Sequence, residues 1–104
     1  MDQNGVPPRF LPYVLDNGKR VVLNGILRSV PGWLKNLSGL TELDLSGNLL
    51  TAVPEWLGNL TALTALDLSD NQLTAVPDSL GNLTALTELD LSDNQLTEIG
   101  RAHV

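Results

Sequence analysis

Leu63-Thr64-Ala65-Leu66-Asp67-Leu68-Ser69-Asp70-Asn71-Gln72-Leu73 is one complete period of this chain. The pattern L-x-x-L-x-L-x-x-N-x-L occurs three times, at Leu40–Leu50, Leu63–Leu73 and Leu86–Leu96, with a constant step of 23 residues. Self-similarity at such a step points to a stack of one small supersecondary unit. Within each unit Leu43-Asp44-Leu45, Leu66-Asp67-Leu68 and Leu89-Asp90-Leu91 alternate apolar and acidic residues. Period 2 predicts a short strand with both leucines inward. The Ser-Gly-Asn or Ser-Asp-Asn that follows predicts a turn.

Val53-Pro54-Glu55-Trp56-Leu57 and Val76-Pro77-Asp78-Ser79-Leu80 predict a short helical or 3-10 segment. Proline suits its first position, and Glu55 or Asp78 suits its positive end. Gly58 or Gly81 is expected to end it, and Leu60 or Leu83 to return inward. One unit cannot bury its own leucines, whereas stacked units can, with their strands side by side in parallel. Asn48, Asn71 and Asn94 form a column expected to bond to backbone groups of adjacent turns.

The step continues backwards more faintly. Pro77, Pro54, Pro31 and Pro8 form one series, and Leu80, Leu57, Leu34 and Leu11 another. On that step Arg20 occupies the place of Leu43 and Gly25 that of Asn48. The first turn survives as its back half, near Pro8–Val14. This divides the chain into divergent turns over residues 1–39, regular repeats over 40–97 and a separate tail over 98–104.

The three full matches resemble leucine-rich repeat proteins, and their regularity is similar to bacterial members. The resemblance implies an α/β solenoid, with short parallel strands on the concave face and helical or 3-10 segments on the convex face. It also implies protein–protein recognition through the concave face. On the strand pattern that face carries Glu42, Asp44, Ser46, Ala65, Asp67, Ser69, Glu88, Asp90 and Ser92. These are the expected partner-binding residues. A different class of function follows from the same resemblance: the repeats could be the recognition arm of a larger GTPase, kinase or ubiquitin ligase.

Composition narrows the partner. The chain has 104 residues, a formal net charge of -6 and 4% aromatic residues. Duplex-binding modules carry a basic face and single-strand binders carry stacking aromatics, so nucleic acid is excluded. Between Leu40 and Thr97 there are nine carboxylates and no Lys or Arg. Asp44, Asp67 and Asp90 should therefore stack as a like-charge column, about 4.8 Å apart. Such a column suits a basic segment of a protein partner.

Catalysis and cofactors find no support. No cysteine is present, and the one histidine is His103. A Ser–His–Asp or Cys–His system cannot be assembled from the repeats. Stacked aspartates could meet the carboxylate spacing of a glycosidase, yet every repeat offers the same pair. Asp70-Asn71 and Asp93-Asn94 are oxygen-rich turns without a calcium-loop pattern. No metal and no cofactor are expected.

Asn36-Leu37-Ser38, Asn59-Leu60-Thr61 and Asn82-Leu83-Thr84 match the glycosylation acceptor because the repeat recurs. They are read as framework. Trp33 and Trp56 share one place on the convex side and are expected to pack there. No run approaches the roughly 20 apolar residues that span a bilayer. The start lacks the pattern of a secretion signal. A reducing, cytoplasmic setting is the expectation.

The tail, Glu98-Ile99-Gly100-Arg101-Ala102-His103-Val104, breaks the repeat where a proline is due at position 100. It resembles the translation of a short-read sequencing adapter, and a truncated reading frame is the expectation. Leu89, Leu91, Leu96 and Ile99 would then face water, which predicts marginal stability and self-association at that end.

Overall fold

The structure is a computed structural model that describes residues 5–25 and 27–96. Residues 98–104, including the proposed foreign tail and Ile99, lie outside the described residues. Five strands form one sheet in chain order: β1 (Val14–Leu15), β2 (Arg20–Val22), β3 (Glu42–Asp44), β4 (Ala65–Asp67) and β5 (Glu88–Asp90). β2 to β5 pair in parallel. Between them the chain crosses through 3-10 segments at Gly32–Asn36, Glu55–Asn59 and Asp78–Asn82. The fold is a leucine-rich repeat solenoid of α/β type with a strand face and a 3-10 face.

The leucine columns build the core. Leu43 and Leu66, Leu45 and Leu68, Leu50 and Leu73, and Leu40 and Leu63 are all buried. Each unit contributes one layer, and the layers interlock because the step between them is constant. Removing a layer's leucines from water stabilises by roughly 1.5–3 kcal/mol per side chain. No single layer could offset the entropy of ordering its own loop.

The asparagine column does what the pattern requires. Asn71 is buried. Its Nδ2 donates to the carbonyls of Leu45 (3.0 Å), Leu68 (3.1 Å) and Ser69 (3.0 Å). Its Oδ1 accepts the Leu50 N–H at 3.0 Å. Asn48 and Asn94 repeat the arrangement one turn to either side. An amide side chain is needed, because only it carries donors and an acceptor on one short stem.

Four details depart from the sequence reading. First, β1 runs antiparallel to β2, with Val14 opposite Val21. The back half of the first turn forms the 3-10 segment Pro8–Tyr13, and the chain then folds back at Asp16–Gly18, so that β1 is an antiparallel edge strand. Asp16 and Asn17 take positive φ (55° and 57°), which folds the chain back within three residues.

Second, the step between β2 and β3 is 22. Arg20 lies beside Glu42, Val21 beside Leu43 and Val22 beside Asp44. Arg20 therefore does not hold the place of Leu43; buried Val21 does. Likewise Gly25 lies at Gly47, whose carbonyl accepts its N–H at 3.1 Å. Burial decides the register: a slip of one residue would put Arg20 into the leucine layer.

Third, proline stands just before each 3-10 segment in extended conformation, at φ −68° and ψ 149° for Pro54. The first helical residue is Glu55. The proline carbonyl accepts the N–H three residues on, Leu57 to Pro54 at 3.1 Å. Five residues suit the i to i+3 bonding of a 3-10 helix.

Fourth, Gly58 and Gly81 lie inside their segments instead of ending them. The Leu60 and Leu83 N–H groups close the segments on Leu57 and Leu80. At Gly58 the reason for glycine is close approach, since an added Cβ would collide with the Ser79 carbonyl. Ser79 stands where the previous two turns carry Trp56 and Trp33, and its hydroxyl donates to the Glu55 carbonyl at 2.8 Å. Trp33 and Trp56 pack against the core's outer side, and Trp33 also meets Phe10 with ring centres 5.3 Å apart.

Candidate functional site: the strand face

Pleating sends Leu43, Leu66 and Leu45, Leu68 inward, so Glu42, Asp44, Ser46 and their counterparts share the opposite face. The parallel register sets three rows across the sheet. The first reads Arg20, Glu42, Ala65, Glu88. The second reads Val22, Asp44, Asp67, Asp90. The third, just beyond the strands, carries Ser46, Ser69 and Ser92. A concave groove of about 640 Å³ lies on this face. Five carboxylates and one guanidinium line it.

The first row relieves its own repulsion. Arg20 Nε is 3.1 Å from Glu42 Oε1. Ala65 then separates Glu42 from Glu88. The ion pair is half exposed on both sides, so it contributes about 0–1 kcal/mol. Its main effect is local charge, since one acidic position of the row is already neutralised within the chain.

The second row keeps its like charges adjacent, and serine makes that tolerable. Asp44 Oδ1 accepts the Ser46 N–H (3.0 Å) and hydroxyl (2.7 Å). Asp67 takes the same bonds from Ser69 at 3.0 and 2.6 Å. Asp90 takes them from Ser92 at 3.0 and 2.6 Å. Each aspartate receives both donors on a single oxygen. The serine hydroxyls therefore serve first as anchors that orient the carboxylates.

Asp90 shows the electrical consequence. Its carboxyl is held below the ordinary range by the Ser92 hydroxyl and then the Ser92 N–H, with slight desolvation opposing. A carboxylate whose folded pKa is depressed stabilises the fold above its unfolded value, near about 3.9. That contribution is lost as pH falls through the folded value. Ser92→Ala is expected to raise the Asp90 midpoint toward the ordinary carboxylate value. Carbon-detected NMR titration of the side-chain carboxyl checks this, and an unmoved midpoint would refute the anchoring role.

The sequence reading missed two residues here. The 23-residue step puts Arg20 at the inward place of Leu43, whereas the observed register puts it on the strand face beside Glu42. Asn24 lies one turn before Ser46. Its Nδ2 donates to Asp44 Oδ1 (3.2 Å), the Ser46 carbonyl (2.9 Å) and Ser46 Oγ (3.1 Å). It closes the N-terminal end of the serine row. The available signal was the alternation Val21, Leu23, which aligns with Leu43, Leu45 only at a step of 22.

The turn after each strand holds one place with positive φ, filled by Gly47 (68°), Asp70 (57°) and Asp93 (56°). Asp70 and Asp93 are exposed there and belong to the turn, not to the strand face. Among the described residues no group of three or more His, Cys, Asp or Glu is placed to hold a metal ion. Among the same residues no helix is long and apolar enough to cross a membrane.

Comparison with known proteins agrees with this geometry. The family model described as Leucine rich repeat matches residues 21–73 and again 53–96. A solved leucine-rich repeat protein of Leptospira interrogans is similar to this chain, with 32% identity and a TM-score of 0.75. The similarity covers 81% of this chain and 22% of that one, so the chain spans about a fifth of that relative's length. No curated protein matches. Repeats of this kind are generally protein-interaction modules. The chain belongs to the leucine-rich repeat family.

Proposed function

We propose that the strand face binds a protein partner, and that the partner presents a basic segment to the Asp44, Asp67 and Asp90 column. The observation that carries this reading is that column: three carboxylates on adjacent strands, oriented by serine, in an open groove. Each aspartate is already fixed in place, so binding costs little ordering of the chain. Glu42 and Glu88 flank the column, with Ala65 leaving room between them for a long side chain. Lys and Arg stems could lie over Ala65 with their heads at the carboxylates. On this reading the chain is a scaffold and not an enzyme.

The test uses a Lys/Arg-rich peptide and an acidic peptide of equal length, titrated against the full chain. The basic peptide is expected to bind and the acidic one not to. Asp44→Asn with Asp67→Asn should weaken binding by about tenfold, or roughly 1.4 kcal/mol. Raising ionic strength from about 0.01 M to 0.15 M shortens the screening length from about 30 to 8 Å and should weaken it further. Binding that ignores salt and both substitutions would sink the reading.

A second reading makes these repeats the recognition arm of a longer enzyme. The solved relative's greater length favours placement within a longer protein. The groove chemistry proposed above is the same in either case.

A further inference from the structure

Asparagine is followed by glycine at Asn4-Gly5, Asn17-Gly18 and Asn24-Gly25. This pairing cyclises more readily than others, because glycine has no Cβ to shield its nitrogen from the asparagine amide carbon. Asn4 lies outside the described residues. The fold treats the other two pairs differently.

Asn24-Gly25 is held to the next turn. Asn24 Nδ2 donates to Asp44 Oδ1, the Ser46 carbonyl and Ser46 Oγ, and the Gly25 N–H donates to the Gly47 carbonyl. Cyclisation would have to break these bonds and turn the Gly25 nitrogen away from Gly47. Asn17 is exposed in the turn between β1 and β2, and among the described residues no hydrogen bond holds its side chain. Its backbone is left-handed, at φ 57° and ψ 41°. Ring closure needs rotation about ψ, and little resists it. The Lys19 N–H is shared between the Leu15 and Asp16 carbonyls, at 3.2 Å from each.

We propose that Asn17 is a self-modification site, where the chain converts its own asparagine to isoaspartate and so unlatches β1 from β2. The Gly18 backbone nitrogen attacks Asn17 Cγ. The bond from Cγ to Nδ2 breaks, the Gly18 N–H proton passes to Nδ2, and ammonia leaves. One water molecule then opens the cyclic imide. Opening at Cγ gives ordinary aspartate. Opening at the main-chain carbonyl gives isoaspartate, with Cβ now part of the main chain. Either product sets a new carboxylate beside Asp16.

The neighbouring contacts decide which side yields to the longer chain. Gly18 is buried, and a Cβ there would stand 3.8 Å from Leu37 Cδ2. The Lys19 carbonyl accepts the Thr41 N–H, the Thr41 hydroxyl and the Glu42 N–H. Gly18 and Lys19 are thus tied to the next turn of the solenoid. The extra length is taken up on the other side, where Val14 and Leu15 pair with Val21 and Arg20.

Trypsin makes the test direct, because cleavage after Arg9, Lys19, Arg20 and Arg28 puts Asn4, Asn17 and Asn24 on separate peptides. The full chain is aged in warm, mildly alkaline buffer and digested at intervals. Mass spectrometry reads the conversion of amide to acid, and electron-transfer fragmentation identifies isoaspartate. In the folded chain Asn24 is expected to convert at least about tenfold more slowly than Asn17, since breaking its bonds adds to the barrier. In urea the two rates should converge. Equal rates in the folded chain, or an Asn17 that does not convert, overturn the proposal. Hydrogen exchange reads the consequence. The aged chain should exchange faster at β1 and its turn, whereas Asn17→Gly should show no change on ageing. Freshly prepared Asn17→Asp carries the charge without the added carbon and should keep β1 protected. Protection of β1 that survives conversion to isoaspartate would refute the unlatching.

Discussion

Asn71→Ala is expected to destabilise the chain by about 3–5 kcal/mol, which is most of the stability a small domain has. The reasoning starts from what the side chain satisfies. Asn71 is buried and bonds to four backbone groups drawn from two turns. Alanine leaves the Leu50 N–H without its acceptor at a site water does not reach. It also removes donors from the Leu68 and Ser69 carbonyls. The Leu68, Ser69 and Leu45 carbonyls each keep a second donor, respectively Asn94 Nδ2, the Gly47 N–H and Asn48 Nδ2. Only the Leu50 N–H is orphaned, at about 1–3 kcal/mol, and three further lost bonds at about 0.5–1.5 kcal/mol each make up the figure. The internal control is Asn94→Ala. Asn94 makes the same bonds but is only partly buried, so water can replace it. Its loss should cost about 1 kcal/mol. Urea unfolding of both variants checks the contrast. Equal losses would mean that burial is not what gives the column its value.

Most of the fold could be read from the chain because the repeat writes each decision three times. Leu43, Leu66 and Leu89 agree on one face, and Asn48, Asn71 and Asn94 agree on one turn. Where the decision was written once, the reading failed. β2 keeps the alternation but not the step, since Gly25 and Leu27 are separated by one residue where Gly47 and Leu50 are separated by two. Burial of Val21 and Leu23 overrides the count. The antiparallel β1 depends on Asp16 and Asn17 adopting positive φ, a choice that Asp-Asn-Gly permits without requiring it.

The candidate site was legible as a set of positions but not as chemistry. Alternation alone places Glu42, Asp44, Asp67, Glu88 and Asp90 on the strand face. It does not reveal that Ser46, Ser69 and Ser92 are spent on orienting the aspartates. That follows from the backbone bend after each strand, which returns the serine two residues later to the same carboxylate. Nor does alternation show that Arg20 neutralises Glu42, because the pairing depends on the register of the one irregular turn. Like-charge columns look hazardous in a sequence and become tolerable only when their local donors are known.

Gly58 and Gly81 are indistinguishable by sequence pattern, yet alanine is expected to have opposite effects at the two places. Both sit at the fourth position of a five-residue 3-10 segment. Neither takes positive φ, so alanine meets no backbone strain at either. At Gly58 a Cβ would collide with the Ser79 carbonyl oxygen and come within 2.8 Å of the Ser79 carbonyl carbon and Cβ. The contact is with backbone, which cannot rotate away. The Asp78–Asn82 segment would have to lift, taking the Ser79 to Glu55 bond with it. Overpacking of this kind costs about 1–3 kcal/mol. At Gly81 a Cβ meets no described atom within 4 Å. There alanine restricts the unfolded chain without harming the folded one and should stabilise by about 0.4–1 kcal/mol. Lys35 holds the same place one turn before Gly58. A Cβ is therefore compatible with the segment itself, and only the neighbour decides. Thermal unfolding of Gly58→Ala and Gly81→Ala reads the two signs directly. Ser79→Ala alone keeps every atom that the new Cβ would meet and removes only the hydroxyl. It gives the cost of the lost hydrogen bond, and the larger loss expected in Gly58→Ala measures the collision. If Gly58→Ala proved neutral, the close seating of one 3-10 segment on the next would be the feature in error.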